Sequence, residues 1–374
     1  MLKIDNQKNY YIQEVEKAYQ EGYRFYINGG GSGACLIYKK VFLGEGRKIP
    51  LEAFVVNDSY YDMILGKQEL VMCGHPIIPI RDIDLNDERI FICMGYTHYD
   101  FYDTDIVIPN IKGKFLIGDN FFTFDRSGKE QYLDYNFFNK HKKQFEKIYN
   151  KLEDEKSKAV LQAYINQKIS GKFEYLSELW NLNQYYDDEI IDISKISGIV
   201  DCGAFDGDSY KAFIDAYYAR TGKEYSEYAY LWEPEIKNIE VLHKKYDNNK
   251  KINIIEKAAW NTTEQLYFSG NGTGGGVEGG GGNGIRIEAD SIDNIVDIPI
   301  NFIKMDIEGS EYNALIGARK TIERNNPILA ICVYHKRDDL LTIPNLIQNI
   351  NENYKFYLRA YSRHAKEIVL YAVV

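Results

Sequence analysis

Five short apolar segments recur along the second half of the chain, each followed by a longer segment that favours helix. They are Gly198–Cys202, Tyr228–Trp232, Ile252–Ile255, Phe302–Met305 and Ile328–Tyr334. Strands that alternate with helices in this way form a parallel sheet covered by helices. Two more apolar segments, Lys355–Arg359 and Ile368–Val373, follow each other closely enough to resemble a hairpin. The pattern predicts an α/β fold with a Rossmann-like, seven-stranded sheet of the class I methyltransferase type.

The chain has 374 residues, which is long for a single hydrophobic core. Its first part repeats the alternation of strand and helix on a smaller scale, and this predicts a small Rossmann-like α/β domain over residues 1–125. The strands expected there are Tyr23–Asn28, Ala53–Asp58, Pro76–Ile80 and Arg89–Met94. Residues 126–183 are rich in charged, helix-favouring residues and are predicted to form a helical connector. The larger domain is then expected over residues 184–374.

Charge and cysteine usage narrow the class of protein. The net charge is −10 and no run is rich in lysine or arginine, so we expect no nucleic-acid partner. No stretch approaches the roughly 20 apolar residues that span a bilayer, and the start is polar, so we expect neither a membrane span nor a signal peptide. The five cysteines include no Cys-x-x-Cys pair, which predicts reduced thiols in a cytoplasm rather than disulfides or a zinc site. They are Cys35, Cys73, Cys93, Cys202 and Cys332.

The first strand of the larger domain ends in Asp201 and turns through Gly203, Ala204 and Gly207 towards a helix. Glycines let the backbone approach a ligand closely at a helix N-terminus. In a dinucleotide fold this turn would hold a pyrophosphate, but Asp201 and Asp208 would repel phosphate. The same charges suit the cationic amino-acid end of S-adenosylmethionine. The alternative is a glycine turn of any α/β sheet.

The next two strands add residues suited to an adenosyl group. Glu233 follows the second strand at the carboxyl edge, where open sheets bind ligands, and can accept hydrogen bonds from both ribose hydroxyls. Trp232 or Ile236 would then lie against the adenine. Small residues after the third strand would let the adenine ring lie flat. The predicted cofactor-binding residues are Asp201, Gly203, Ala204, Gly207, Asp208, Glu233, Pro234, Ala258, Ala259 and Asp306.

The fourth strand presents Asp306 where this type of sheet faces the reacting methyl group, and the fifth brings His335 to the same edge. A histidine there can take a proton from an attacking hydroxyl, so either His335 or Asp306 is the predicted proton acceptor. A purely structural hydrogen bond is the alternative for His335. Placement at a helix N-terminus explains Glu308 and Glu311 without a metal. We therefore predict no metal, with a divalent ion on Asp306 and a neighbouring carboxylate as the alternative.

These residues together resemble the FkbM family of methyltransferases over about Gln184 to Val374. The motifs that carry the resemblance are Gln184–Tyr186, Val200–Ala204, Trp232–Pro234, Asp290–Asp293, Ile303–Glu311, Val333–His335 and Tyr357–Tyr361. The resemblance implies a methyl transfer from S-adenosylmethionine, usually to an oxygen, as in the biosynthesis of surface polysaccharides or secondary metabolites. The acceptor would be a small molecule or a glycan precursor, and substrate-binding residues at the same edge would hold it. Those expected are Glu308, Tyr334, Arg359 and Tyr361.

Two segments leave alternatives open. Gly29, Gly31 and Ala34 have the spacing of a dinucleotide fingerprint, and Asp58 lies about 20 residues or slightly more downstream. The first domain therefore binds a nucleotide, or orients the acceptor, or forms a homodimer. An NAD(P)-dependent oxidoreductase and a non-catalytic nucleotide-binding partner are the competing functions. The glycine-rich residues 269–284 are expected to form a mobile loop.

Overall fold

The structure is a computed structural model that describes residues 2–67, 69–95, 111–116, 132–269, 276–278 and 285–374. Its contacts divide the chain into two compact units. The first unit comprises Lys3–Lys140 and Gln162–Glu178, and the second comprises Met1–Leu2, His141–Leu161 and Leu179–Val374. The predicted boundaries at residues 125 and 183 stay a prediction.

The first unit contains a six-stranded sheet with the order β3-β4-β2-β1-β5-β6. Its strands are β1 (Arg24–Asn28), β2 (Ala53–Val56), β3 (Val71–Met72), β4 (His75–Pro79), β5 (Ile90–Met94) and β6 (Lys114–Leu116). Neighbouring strands pair in parallel, except that the two-residue β3 is antiparallel to β4. Its helices are α1 (Tyr10–Gln20), α2 (Ser32–Ile37) and α3 (Asp58–Ile64). Strands β2 and β5 are buried along their whole length, which explains why they are apolar without alternation.

A disulfide joins Cys35 to Cys73 in this unit, with 6.3 Å between the two Cα atoms. The expectation of reduced cysteines is therefore wrong for this pair. The two residues are 38 positions apart, so only the folded chain brings them within bonding distance. Cys93, Cys202 and Cys332 are free and buried.

The second unit contains a seven-stranded sheet with the order β16-β17-β15-β14-β7-β8-β9. In chain order the strands of this unit are β7 (Gly198–Cys202), β8 (Tyr228–Trp232), β9 (Ile252–Ile255), β10 (Ala258–Ala259), β11 (Glu264–Ser269), β12 (Gly276–Glu278), β13 (Ile285–Asp290), β14 (Phe302–Met305), β15 (Ile328–Cys332), β16 (Lys355–Ala360) and β17 (Ile368–Val373). Strands β9, β8, β7, β14 and β15 run parallel, whereas β17 is antiparallel to both β15 and β16. This topology confirms the predicted class I methyltransferase sheet.

A second, four-stranded sheet has the order β10-β13-β11-β12. It contains Ala258 and Ala259, which pair with Ala289 and Asp290 and are buried. Within the glycine-rich run, residues 276–278 form β12 against β11. Residues 270–275 and 279–284, on which the expectation of a mobile loop mostly falls, lie outside the described residues.

Long helices occupy the predicted connector, and further helices separate the strands of the second unit. They are α4 (Tyr135–Lys151), α5 (Glu155–Ser170), α6 (Asp208–Thr221), α7 (Ile236–Tyr246), α8 (Ile292–Ile295), α9 (Glu311–Gly317), α10 (Arg319–Asn325) and α11 (Asp339–Ile350). Both α4 and α5 contribute residues to both units. Among the described residues, no helix combines the length and apolar character needed to cross a membrane.

Candidate active site

The turn after β7 is packed so tightly that only glycine fits at its centre. Gly203 has a φ of +79°, and a Cβ atom there would lie 1.9 Å from the carbonyl oxygen of Asp306. The N–H groups of Gly203 and Ala204 both donate to the carbonyl oxygen of Trp232, at 3.0 Å each. Gly207, with a φ of +88°, precedes α6. The turn is therefore fixed between the ends of β8 and β14.

A buried ion pair stabilises this turn. Lys304 Nζ lies 3.0 Å from Asp201 Oδ1 and donates to the carbonyl oxygen of Gly203 at 2.7 Å. Ser209 Oγ donates to the other oxygen of Asp201 at 2.5 Å. Burial raises the pKa of Asp201 although Lys304 lowers it. Asp201 thus holds the turn through Lys304, while Asp208 is exposed at the first position of α6.

Glu233 lies at the carboxyl end of β8, and its carboxylate is fixed by backbone groups. The N–H of Phe205 donates to Oε2 and that of Glu235 donates to Oε1, both at 2.9 Å. Burial raises the pKa of Glu233, against the effect of these hydrogen bonds. Trp232 is only 1% exposed and cannot present its ring to a ligand, whereas Ile236 is 66% exposed. Of the two adenine contacts expected, the structure leaves Ile236 accessible.

Asp306 follows β14, and its carboxylate accepts hydrogen bonds from the hydroxyl groups of two tyrosines. Tyr185 donates to Oδ2 at 2.7 Å and Tyr334 donates to Oδ1 at 3.4 Å. Burial would raise the pKa of Asp306, but His335, Lys304 and the Tyr185 hydroxyl outweigh it and lower the pKa. The side chain keeps 23% exposure. Asp306 is therefore an ionised and accessible carboxylate.

His335 is surrounded by three carboxylates. Its Nδ1 lies 2.9 Å from Glu311 Oε1, and its Nε2 lies 3.5 Å from Asp306 Oδ1 and 3.6 Å from Glu308 Oε2. Burial would lower the pKa of His335, but the carboxylates raise it to about 10. Burial also raises the pKa of Glu308 to about 7. Because the surrounding carboxylates favour the protonated imidazole, which cannot accept a proton, Asp306 is the better candidate for the proton acceptor.

Arg359 and Tyr361 are buried instead of lining an open edge. Arg359 is 1% exposed and forms ion pairs with Asp187 at 3.1 Å and Asp154 at 2.8 Å. The hydroxyl of Tyr361 hydrogen-bonds to that of Tyr371. These contacts account for both side chains structurally, so their role in acceptor binding gains no support from the geometry.

The structure thus brings together two groups of predicted residues. The first group contains Gly203, Ala204 and Gly207, which lie beside Glu233. Pro234 is next to Glu233 and partly buried. Ala258 and Ala259 belong instead to the four-stranded sheet. The second group contains Asp306, Glu308, Tyr334 and His335, and Glu311, which was not predicted as a site residue, lies against His335.

Sequence reasoning missed two residues of the second group. Tyr185 lies in the motif Gln184–Tyr186, which offered a signal, but its contact with Asp306 joins residues 121 positions apart. Glu367 comes from the turn between β16 and β17 and accepts a hydrogen bond from Tyr334 at 3.3 Å. No feature of the local sequence indicates this contact.

In the first unit, the glycine turn does follow β1. Gly29 has a φ of +136° and Ala34 is buried in α2. Asp58 accepts a hydrogen bond from the N–H of Arg81 at 3.1 Å. The nucleotide-binding, acceptor-orienting and homodimer interpretations of this unit stay predictions.

The strand order of the seven-stranded sheet is that of the class I methyltransferase fold. Residues 201–356 match the family model described as the methyltransferase FkbM domain. This match lies within the second unit and confirms, for residues 201–356, the resemblance to FkbM methyltransferases that the motifs indicate.

The chain is similar to several solved structures, and the first of those given below shares its fold. The crystal structure of methyltransferase FkbM from Methylobacillus flagellatus is 24% identical, covers 98% of this chain and 94% of its own, and superposes with a TM-score of 0.67. An rRNA methylase from Streptococcus thermophilus is 12% identical, with coverages of 50% and 89% and a TM-score of 0.32. The O-methyltransferase from Bacillus cereus in complex with SAH is 11% identical, with coverages of 49% and 76% and a TM-score of 0.29. No curated protein matches the chain.

Proposed function

We propose that this protein methylates a hydroxyl oxygen of a sugar in a small-molecule or glycan-precursor acceptor, with Asp306 as the proton acceptor. The observation that carries the proposal is the state of Asp306. Its carboxylate is ionised, 23% exposed and oriented by Tyr185 at the carboxyl end of β14. A hydroxyl nucleophile needs such a group because it must lose its proton as the new bond forms.

The residues at the ends of β7 and β8 fit the cofactor. Glu233 is held by two backbone N–H groups, and a carboxylate oxygen can accept further hydrogen bonds from ribose hydroxyls. Gly203 leaves no room for a side chain, and Ile236 offers an exposed apolar face one turn from Glu233. We infer that Glu233 and Ile236 hold the adenosyl part. S-adenosylmethionine supplies an activated methyl group, so the protein has mainly to align the acceptor and remove its proton.

The charge around Asp306 supports a neutral hydroxyl acceptor. Glu308, Glu311 and Glu367 lie close to the same histidine or tyrosine side chains as Asp306. Such a concentration of carboxylates disfavours an acceptor whose reacting group is itself anionic. Carboxylates and the hydroxyl of Tyr334 are suited to hydrogen bonds with the several hydroxyls of a sugar. A sugar hydroxyl therefore fits better than a phosphate or a carboxylate.

The cofactor part of the proposal is tested by calorimetric titration with S-adenosylhomocysteine. Glu233→Gln keeps the shape of the side chain but removes its charge, and we expect affinity to fall roughly 10- to 100-fold, the range for a lost charged hydrogen bond. Glu235→Gln is the matched control, because Glu235 lies two residues away and should leave affinity unchanged. Equal affinity in wild type and Glu233→Gln would contradict the role of Glu233.

The acceptor part is tested by methyl transfer to a panel of sugars, nucleotide sugars, amines and carboxylic acids, followed by mass spectrometry. We expect the mass of one methylene to be added at a sugar hydroxyl. Asp306→Asn should lower the rate about 100-fold or more while S-adenosylhomocysteine still binds. Methylation of an amine or carboxylate alone would overturn the proposal of a hydroxyl acceptor.

A further inference from the structure

In the group around His335, a buried histidine faces three carboxylates without a well-directed hydrogen bond to any of them. The side chain is 8% exposed, and neither ring nitrogen has a hydrogen-bond partner of normal geometry within the described part of the chain. Nε2 lies 3.5 Å from Asp306 and 3.6 Å from Glu308, which is too long for a hydrogen bond. Glu311 is fully buried, and its Oε2 also lacks a partner among the described residues. Buried polar atoms left in this way call for a ligand.

We propose that Asp306, Glu311 and His335 bind a divalent metal ion, each through one side-chain atom. One oxygen or nitrogen atom from each residue lies within 4.8 Å of the other two. Metal–ligand bonds are about 2.1 Å long, so ligands on opposite sides of an ion are about 4.2 Å apart. The three side-chain atoms are therefore close enough together to surround one ion.

The local charge balance supports this assignment. Asp306, Glu308 and Glu311 all face His335, so three carboxylates share one imidazole ring, which can supply at most one positive charge. Burying like charges together is costly unless a cation compensates them. The two neighbouring lysines make their direct contacts with other groups, since Lys304 pairs with Asp201 and Lys336 donates to the carbonyl oxygen of Gly309. A divalent ion would supply the missing positive charge directly.

A second set of potential ligands, Asp306, Cys332 and Glu367, is less suited to an ion. The thiol of Cys332 is fully buried, and burial together with Asp306 raises its pKa well above the usual range. A thiol binds metal as the thiolate, and complete burial disfavours that charged form of Cys332. The set with His335 is therefore the one we assign.

The ligand types indicate which ion to use as a probe. Two carboxylates and one imidazole suit Mn²⁺ and similar divalent ions of the first transition row better than Ca²⁺, which takes more oxygen ligands. On the proposed function, an acceptor hydroxyl bound to the ion would lose its proton more readily. The ion would then take over part of the task assigned to Asp306. The binding itself does not depend on that function.

The test is a titration of the chelator-treated full chain with Mn²⁺, in which electron paramagnetic resonance measures the free ion. We expect saturable binding of one ion per chain. His335→Gln should weaken it at least about tenfold, and Asp306→Asn should do the same if the first variant folds poorly. Glu323→Gln is the matched control, because Glu323 is an exposed carboxylate on α10 and should have no effect.

Three results would overturn the proposal: no binding at millimolar Mn²⁺, undiminished binding in His335→Gln, or loss of binding in Glu367→Gln with retention in His335→Gln. S-adenosylhomocysteine binding, measured on the same samples, verifies that each variant is folded. It also separates the two proposals. Wild-type protein that binds S-adenosylhomocysteine but no Mn²⁺ refutes the metal site alone, and the reverse refutes the cofactor site alone.

Discussion

The two units of the molecule are built on similar plans and differ in what they bury. Both have a largely parallel sheet and a turn with glycines after the first strand. Among the described residues of the first unit, the buried polar side chains are uncharged, as in Asn28 and Asn166. The second unit buries charged groups at its strand ends, such as Asp201, Glu233 and Lys304. A glycine turn therefore says little about chemistry until the neighbouring strand ends are known.

The turns themselves also differ in how closely they are packed. A Cβ atom on Gly203 would collide with backbone, whereas one on Gly31 would meet nothing within 4 Å. Gly203 also has a positive φ, whereas the φ of Gly31 is −125°. The glycine of the second unit is needed for packing. The glycine of the first unit leaves open space beside it.

The largest expected effect compares these two glycines. Gly203→Ala combines left-handed backbone strain with a collision against Asp306, and should destabilise the second unit by about 5 kcal/mol. Gly31→Ala should change stability by less than about 1 kcal/mol. All three tryptophans (Trp180, Trp232, Trp260) lie in the second unit, so urea unfolding followed by tryptophan fluorescence reports on that unit. Equal effects of the two substitutions would show that the turns are packed alike.

The next effect concerns the buried ion pair. Lys304→Met leaves the Asp201 carboxylate buried without its cation, and we expect a loss of about 4 kcal/mol in the same unfolding experiment. The double variant Asp201→Asn, Lys304→Met should recover much of this loss, because it removes both charges. If the double variant is as unstable as the sum of the single variants, the two side chains do not act as a pair.

Sequence patterns predicted the seven-stranded sheet because its strands are apolar, regularly spaced and punctuated by polar ends. The same pattern located Glu233 and Asp306, since strand ends can be read locally. It did not reveal the contact of Tyr185 with Asp306 or the pairing of Lys304 with Asp201, because each joins residues more than 100 positions apart. Nor did it reveal that Ala258 and Ala259 form a strand of a separate sheet, because two small residues carry no periodicity.

The disulfide lies in the first unit, so removing it should destabilise the first unit and not the second. Cys35→Ser removes a cross-link between residues 38 positions apart and should destabilise the first unit by about 3 kcal/mol. We expect an earlier unfolding transition by circular dichroism and an unchanged transition by tryptophan fluorescence. Cys93→Ser serves as the comparison, since Cys93 is free. A shift seen by tryptophan fluorescence as well would mean that the two units unfold together.

A substitution of Arg359 tests whether this residue, predicted to bind the acceptor, has a structural role instead. Arg359→Lys keeps a charge but loses the planar guanidinium contacts with Asp154 and Asp187, and should cost about 2 kcal/mol without changing acceptor KM. Burial would raise the pKa of Asp154, but Arg359 and Ser157 lower it from 3.8 to about 2. The stability from this contact is therefore complete above pH 3.8 and is lost as the pH falls towards 2.

Unfolding of wild type and Arg359→Lys across that pH range measures the contribution. The difference in stability between the two proteins should be constant at neutral pH and should shrink as Asp154 becomes protonated. An increase in acceptor KM with unchanged stability would instead restore Arg359 as a substrate-binding residue.

The smallest expected effect concerns the hydroxyls that orient Asp306. Tyr185 donates to this carboxylate at 2.7 Å and Tyr334 at 3.4 Å, so Tyr185 makes the stronger hydrogen bond. Tyr185→Phe should lower kcat about fivefold, equivalent to about 1 kcal/mol, with acceptor KM and S-adenosylhomocysteine affinity unchanged. Tyr334→Phe should have a smaller effect on kcat. Because a purely structural role for Tyr185 would lower stability without changing kcat per folded molecule, unfolding and kinetics measured on the same sample decide whether the tyrosine positions the proton acceptor.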